Sequence, residues 1–73
     1  SFEKLNKLQA ALKDFSKSIK LDSKNAPSYS SRGLIYDRLG KYREAVKDFS
    51  VAIKLDTKNS VYYHNRGFAF RNL

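Results

Sequence analysis

Residues 14–25 read DFSKSIKLDSKN and residues 48–59 read DFSVAIKLDTKN, identical at nine of twelve positions and 34 residues apart. The register holds beyond that stretch. Phe2, Tyr36 and Phe70 fall in line at the same spacing, as do Leu5, Leu39 and Leu73. YSSRG at 29–33 returns as YHNRG at 63–67, Ala11 returns as Ala45, and Leu12 as Val46. A fixed period of this length marks stacked supersecondary units, each too small to bury its apolar face alone. A chain of this kind is confined to folds that grow by adding one unit to the next.

Within one period the apolar spacing is helical. Tyr29, Gly33 and Tyr36 fall at i, i+4 and i+7, and Ala45, Phe49, Ala52 and Ile53 follow the same rule. Gly40 ends the first run, where the residue past a helix C-terminus takes positive φ. LDTKN closes the second run with turn-forming residues. Pro27 suits the first turn of the next helix, whose amides have no intrahelical acceptor. The pattern predicts helices at about 9–21, 27–39, 43–55 and 61–73, antiparallel to their neighbours, with short turns and no strand. Small residues mark where helices approach closely. Gly33 is expected to face Ala45, and Ala52 to face the first helix of the next unit. Tyr29, Tyr36 and Phe49 are expected to fill the core around them.

These positions resemble the tetratricopeptide repeat, a 34-residue helical hairpin. The family's positions fall on Tyr29, Arg32, Gly33 and Tyr36 of one helix and on Ala45, Phe49, Ala52 and Thr57 of the next. Tyr63, Gly67 and Phe70 repeat the first set. Arg32 stands where the family has Leu and Thr57 where it has Pro; Arg66 and Ser23 repeat those departures. The methylene stem of Arg32 is expected to lie along the core edge. The resemblance implies an all-α solenoid of stacked antiparallel hairpins. Residues 1–25 then end one repeat, 26–59 form a complete one, and 60–73 supply the first helix of another, as in a slice of a longer array. It also implies a scaffold that holds a protein or peptide segment in a concave groove lined by first helices. By position, the groove residues are Ser30, Leu34, Asp37, Arg38, His64, Asn65, Phe68, Arg71 and Asn72. Some arrays of the family clamp a chaperone's C-terminal carboxylate. Asn65 matches one clamp position, but Pro27, Ser30, Val61 and His64 stand where cations are needed.

The residue inventory argues against catalysis. There is no cysteine, so no disulfide and no thiolate metal site. His64 is the one histidine, and no carboxylate spacing joins it into a metal site. The three glycines are isolated, so no phosphate-binding loop is present. No nucleophile elbow occurs. No enzyme activity, cofactor, metal or small-molecule substrate is expected. No apolar run approaches the roughly 18 residues that a membrane span needs. The expected setting is intracellular and cytoplasmic.

The net charge of +8 admits a nucleic acid, an anionic surface, an acidic protein or a solvated lysine coat. Lys13, Lys17, Lys20, Lys47 and Lys54 fall on second helices, and Lys7, Lys24, Lys41 and Lys58 in turns. Family geometry puts these on the convex side, leaving Arg38, Arg71 and His64 for the groove. Nucleic acid is disfavoured, since no exposed aromatics are expected for base stacking. Binding of nucleic acid or an acidic surface through the lysine face stays as the alternative to the groove.

At the start of the chain Leu5, Leu8, Leu12, Phe15 and Ile19 are spaced 3, 4, 3, 4, a heptad seam. It runs through the place of the family's turn, where Asn6 replaces the glycine found at Gly40. Residues 2–21 are expected to form one continuous helix, or residues 1–5 to fray. A continuous helix leaves Phe2 and Leu5 exposed, and self-association by exchange of end helices follows.

Overall fold

The structure is a computed structural model and describes residues 2–73, with Phe2 described by its backbone alone. It contains four helices: α1 (Phe2–Leu21), α2 (Ala26–Arg38), α3 (Tyr42–Leu55) and α4 (Ser60–Arg71). No strand occurs among the described residues.

The repeated turn sequences start helices as well as end them. In LDSKN the Asn25 side chain caps α2 by accepting from the Ser28 amide at 3.3 Å. In LDTKN the Asn59 side chain caps α4 by accepting from the Val61 amide at 3.0 Å. Each cap satisfies an amide that the first helical turn leaves open. Pro27 sits in the first turn of α2. Between α2 and α3, Gly40 takes φ of +78°. The Lys41 amide donates to the Tyr36 carbonyl at 2.8 Å and the Gly40 amide to the Asp37 carbonyl at 3.1 Å. This is the Schellman closure, which needs a residue free to adopt positive φ.

α1 runs unbroken from Phe2 through Asn6 to Leu21, not from residue 9. Nothing in the chain requires a break at Asn6, and an unbroken helix keeps every internal hydrogen bond. α4 stops at Arg71, two residues short of the expected end, where Asn72 caps it. Leu5 is exposed, and burial along the seam increases toward Ile19. The expected exposure of the Phe2 side chain, and any fraying at Ser1, lie outside the described residues.

α3 lies between α2 and α4 and packs on both. One core cluster joins Ala26, Ala52, Ile53 and Tyr62, with Tyr29 against it. Another joins Ala45, Phe49 and Ala69, with Tyr36 and Val46 against it. Tyr29 thus meets the end of α3 and Tyr36 its beginning, so the two helices are antiparallel. Ala52 shares its cluster with Tyr62 of α4, the next first helix. A Cβ at Gly33 would lie 2.8 Å from Cε1 of Phe49, so the glycine admits the Phe49 ring, which shares its cluster with Ala45. The aromatic ring is the larger group, and it takes the space that the missing side chain leaves.

Candidate partner-binding surfaces

Eight of the nine residues assigned to the groove remain accessible, in differing degree. On α2, Leu34 is 43 % exposed, Arg38 is exposed and Asp37 is half-buried. Oδ1 of Asp37 is shielded without a hydrogen-bond donor, which costs free energy. On α4, Phe68 is 51 % exposed, His64, Arg71 and Asn72 are exposed, and Asn65 is half-buried. The Asn72 side chain donates to the Phe68 carbonyl at 3.0 Å and so closes its own helix. Ser30 is a correction: it is buried, only 6 % exposed, where an accessible groove residue was expected.

The family's core positions divide by helix. Tyr29, Gly33 and Tyr36 are covered or half-covered because α3 lies over them. Tyr63, Gly67 and Phe70 are exposed, because no described helix lies over that side of α4. Tyr63 is 44 % exposed and Phe70 52 %. With Phe68, already placed in the groove by its position, α4 therefore presents three exposed aromatics, where none was expected for base stacking.

A cleft of about 460 Å³ opens where the first half of α1 passes the end of α2. Lys4, Lys7, Leu8 and Arg38 line it. Lys7 is helical, not in a turn, and joins Arg38 because α1 continues through Asn6. Lys13, Lys17, Lys20, Lys47 and Lys54 are all exposed on α1 and α3.

The most structured polar cluster escaped the sequence reading. Arg32 does more than lay its stem on the core. Its guanidinium donates from Nε to Oδ2 of Asp48 at 2.7 Å and from Nη2 to Oδ1 at 2.8 Å. Nη1 reaches the Ser16 hydroxyl at 3.4 Å. The rings of Tyr29 and Tyr36 flank it, each centroid 5.8 Å away. The Asp48 hydrogen bond raises the Arg32 pKa above its usual value, although burial alone would lower it. The signal was present: Arg32 recurs as Arg66, and Asp14 as Asp48, at the repeat spacing.

Among the described residues no group of His, Cys, Asp or Glu could hold a metal ion. None of their helices is long and apolar enough to cross a membrane. Residues 26–59 match a family model described as tetratricopeptide repeat, and residues 1–25 match a second model of the same description. No curated protein matches the chain significantly. The repeated hairpin, its glycine-to-aromatic contact and these two matches agree, and the chain belongs to the tetratricopeptide repeat family.

Proposed function

We propose that this chain is a non-catalytic scaffold that holds a protein segment across the exposed sides of α2 and α4. Tetratricopeptide repeats are in general protein–protein interaction motifs, and the family is typically non-catalytic. In this reading residues 26–59 are the complete repeat, 1–25 end the one before it, and 60–73 open the next. The observation that carries the proposal is the pair Leu34 and Phe68. They occupy the same position in consecutive repeats and both stay exposed. Two apolar anchors in register suit an extended or helical segment lying across both helices. Asp37, Arg38, His64, Asn65, Arg71 and Asn72 add polar groups on the same helices, of which Arg38 and Arg71 are cationic. Ser30, being buried, is left out.

The experiment is peptide selection by phage display against the chain, followed by variants. Leu34→Ser with Phe68→Ser should abolish binding of the selected peptides, and Arg38→Glu with Arg71→Glu should weaken it. Lys47→Glu with Lys54→Glu should change it little. The reverse ranking overturns the proposal in favour of the lysine face. So does retention of nucleic acid with a steep dependence on salt, the mark of phosphate neutralisation.

A further inference from the structure

We propose that the outer face formed by α1 and α3 lies against an anionic lipid surface, held there by a grid of lysines, with the sides of α2 and α4 turned away. On α3, Ala45, Phe49 and Ala52 are buried toward α2 and α4. At about 100° of turn per residue, Lys47 and Lys54 lie roughly 180–200° around the helix from Ala45. They point away from the core, and both are exposed. Arg43 precedes them on the same line and is exposed as well. Lys13 and Lys20 stand in the same relation to Ala11, 34 residues earlier, and Lys24 and Lys58 follow in the two equivalent turns. These lysines too are exposed.

This face is not made by an end of the chain. α3 has α2 on one side and α4 on the other, and Lys47 and Lys54 stay exposed with both neighbours in place. A further hairpin packed on α4 would widen the face without covering it, because α4 lies on the opposite side of α3 from these lysines.

The cations are unpaired. None of these lysines forms a salt bridge among the described residues. The nearby carboxylates are engaged or lie off the line. Asp48 is buried in its pair with Arg32. Asp22 accepts from the Lys24 amide at 3.2 Å, and Asp56 stands at the C-terminal cap of α3. Asp14 and Glu44 lie roughly 60–100° around their helices from the lysine line.

The character of the face selects the kind of anion. Protein interfaces are built round aromatic and aliphatic anchors and are poor in lysine. On α3 the exposed large hydrophobic is Leu55, at the helix end. Single-stranded nucleic acid needs stacking platforms, and the exposed aromatics Tyr63, Phe68 and Phe70 stand on α4. Lysine is a hydrated point charge without the planar fork that matches one phosphate or carboxylate. Such charges act independently on a diffuse negative surface, each within a screening length of roughly 8–10 Å. The molecule is a slab 15 Å thick and 36 by 31 Å across, so a broad face brings its lysines near one plane. This inference is separate from the groove, which lies on the other helices, and its test needs no peptide.

Co-sedimentation of the whole chain with vesicles tests it, using phosphatidylcholine alone and phosphatidylcholine with about 30 % phosphatidylserine. The chain should sediment with the anionic vesicles and not with the neutral ones, and salt should release it. Lys47→Glu with Lys54→Glu should lower the partition coefficient by about tenfold or more. Arg38→Glu with Arg71→Glu makes the same change in net charge on the other helices and should lower it much less. Circular dichroism checks that the helices persist in each variant. A chain that ignores anionic vesicles overturns the proposal, as do equal losses in the two charge reversals. So does tighter, lysine-dependent binding of a DNA duplex or of polyglutamate, which would assign the face to nucleic acid or to an acidic protein.

Discussion

Arg32 and Asp48 stand on opposite arms of the α2–α3 hairpin and meet through two parallel hydrogen bonds of 2.7 and 2.8 Å. The side chain of Asp48 is 6 % exposed and that of Arg32 21 %. A planar guanidinium can satisfy both carboxylate oxygens at once only in one relative placement of the helices. The pair thus sets the register of α3 on α2 where apolar contacts alone would permit sliding.

Asp48→Asn should destabilise the chain by about 3 kcal/mol, because it leaves a largely covered cation without its counter-charge. Replacing both partners, Arg32→Met with Asp48→Leu, should recover most of that loss, since an apolar pair carries no desolvation cost. Urea unfolding followed by circular dichroism measures both. Equal losses in the single and double variants would show that the ion pair is incidental to stability.

Gly33→Ala and Gly67→Ala should act in opposite directions although they occupy one repeat position. At Gly33 the added carbon collides with the Phe49 ring, which is buried and cannot retreat, at a cost of about 1–3 kcal/mol. At Gly67 the carbon enters open space, and alanine gains up to about 1 kcal/mol of helix propensity. Melting temperatures provide the comparison. A Gly33→Ala variant as stable as the parent would contradict the Phe49 contact.

Phe49→Ala should cost about 3–5 kcal/mol, enough to abolish folding in a chain of this size. The measurement is the far-ultraviolet helix signal at low temperature. A cooperative melt near that of the parent would mean that the ring is not the centre of the core.

Asn25→Ala and Asn59→Ala should each cost about 1 kcal/mol by removing an N-cap acceptor. Asn25→Asp and Asn59→Asp should keep most of the stability, since aspartate accepts the same hydrogen bond. The four variants can be ranked by urea midpoint. Alanine and aspartate variants of equal stability would show that the caps contribute nothing.

The period, the helices and the turn at Gly40 were legible because each is a local signal. Asn6 against Gly40 likewise foretold the unbroken α1. Two features were not legible in this way. The Arg32–Asp48 pair joins residues on different helices, and a family pattern with Leu at the first position directed attention to packing instead of charge. The accessibility of Tyr63, Gly67 and Phe70 depends on whether another helix lies over them. Helical periodicity shows which side of α4 is apolar, but coverage is a property of the neighbours. Ser30 was misplaced for the same reason in reverse.

Phe49 touches Gly33 on one side and shares a cluster with Ala69 on the other. Detaching α4 therefore uncovers the ring that seals α2 to α3, and the three helices are thermodynamically tied. Their amides should exchange with solvent through one shared opening instead of in succession. α1 is joined to α2 by hydrogen bonds of the Ser16 and Ser18 hydroxyls, beside the buried Ile19, and its Phe15 ring is only half-buried, where Phe49 is fully buried. It is the helix that can leave first, so the cooperative unit of this molecule begins near Asn25 and not at its first helix.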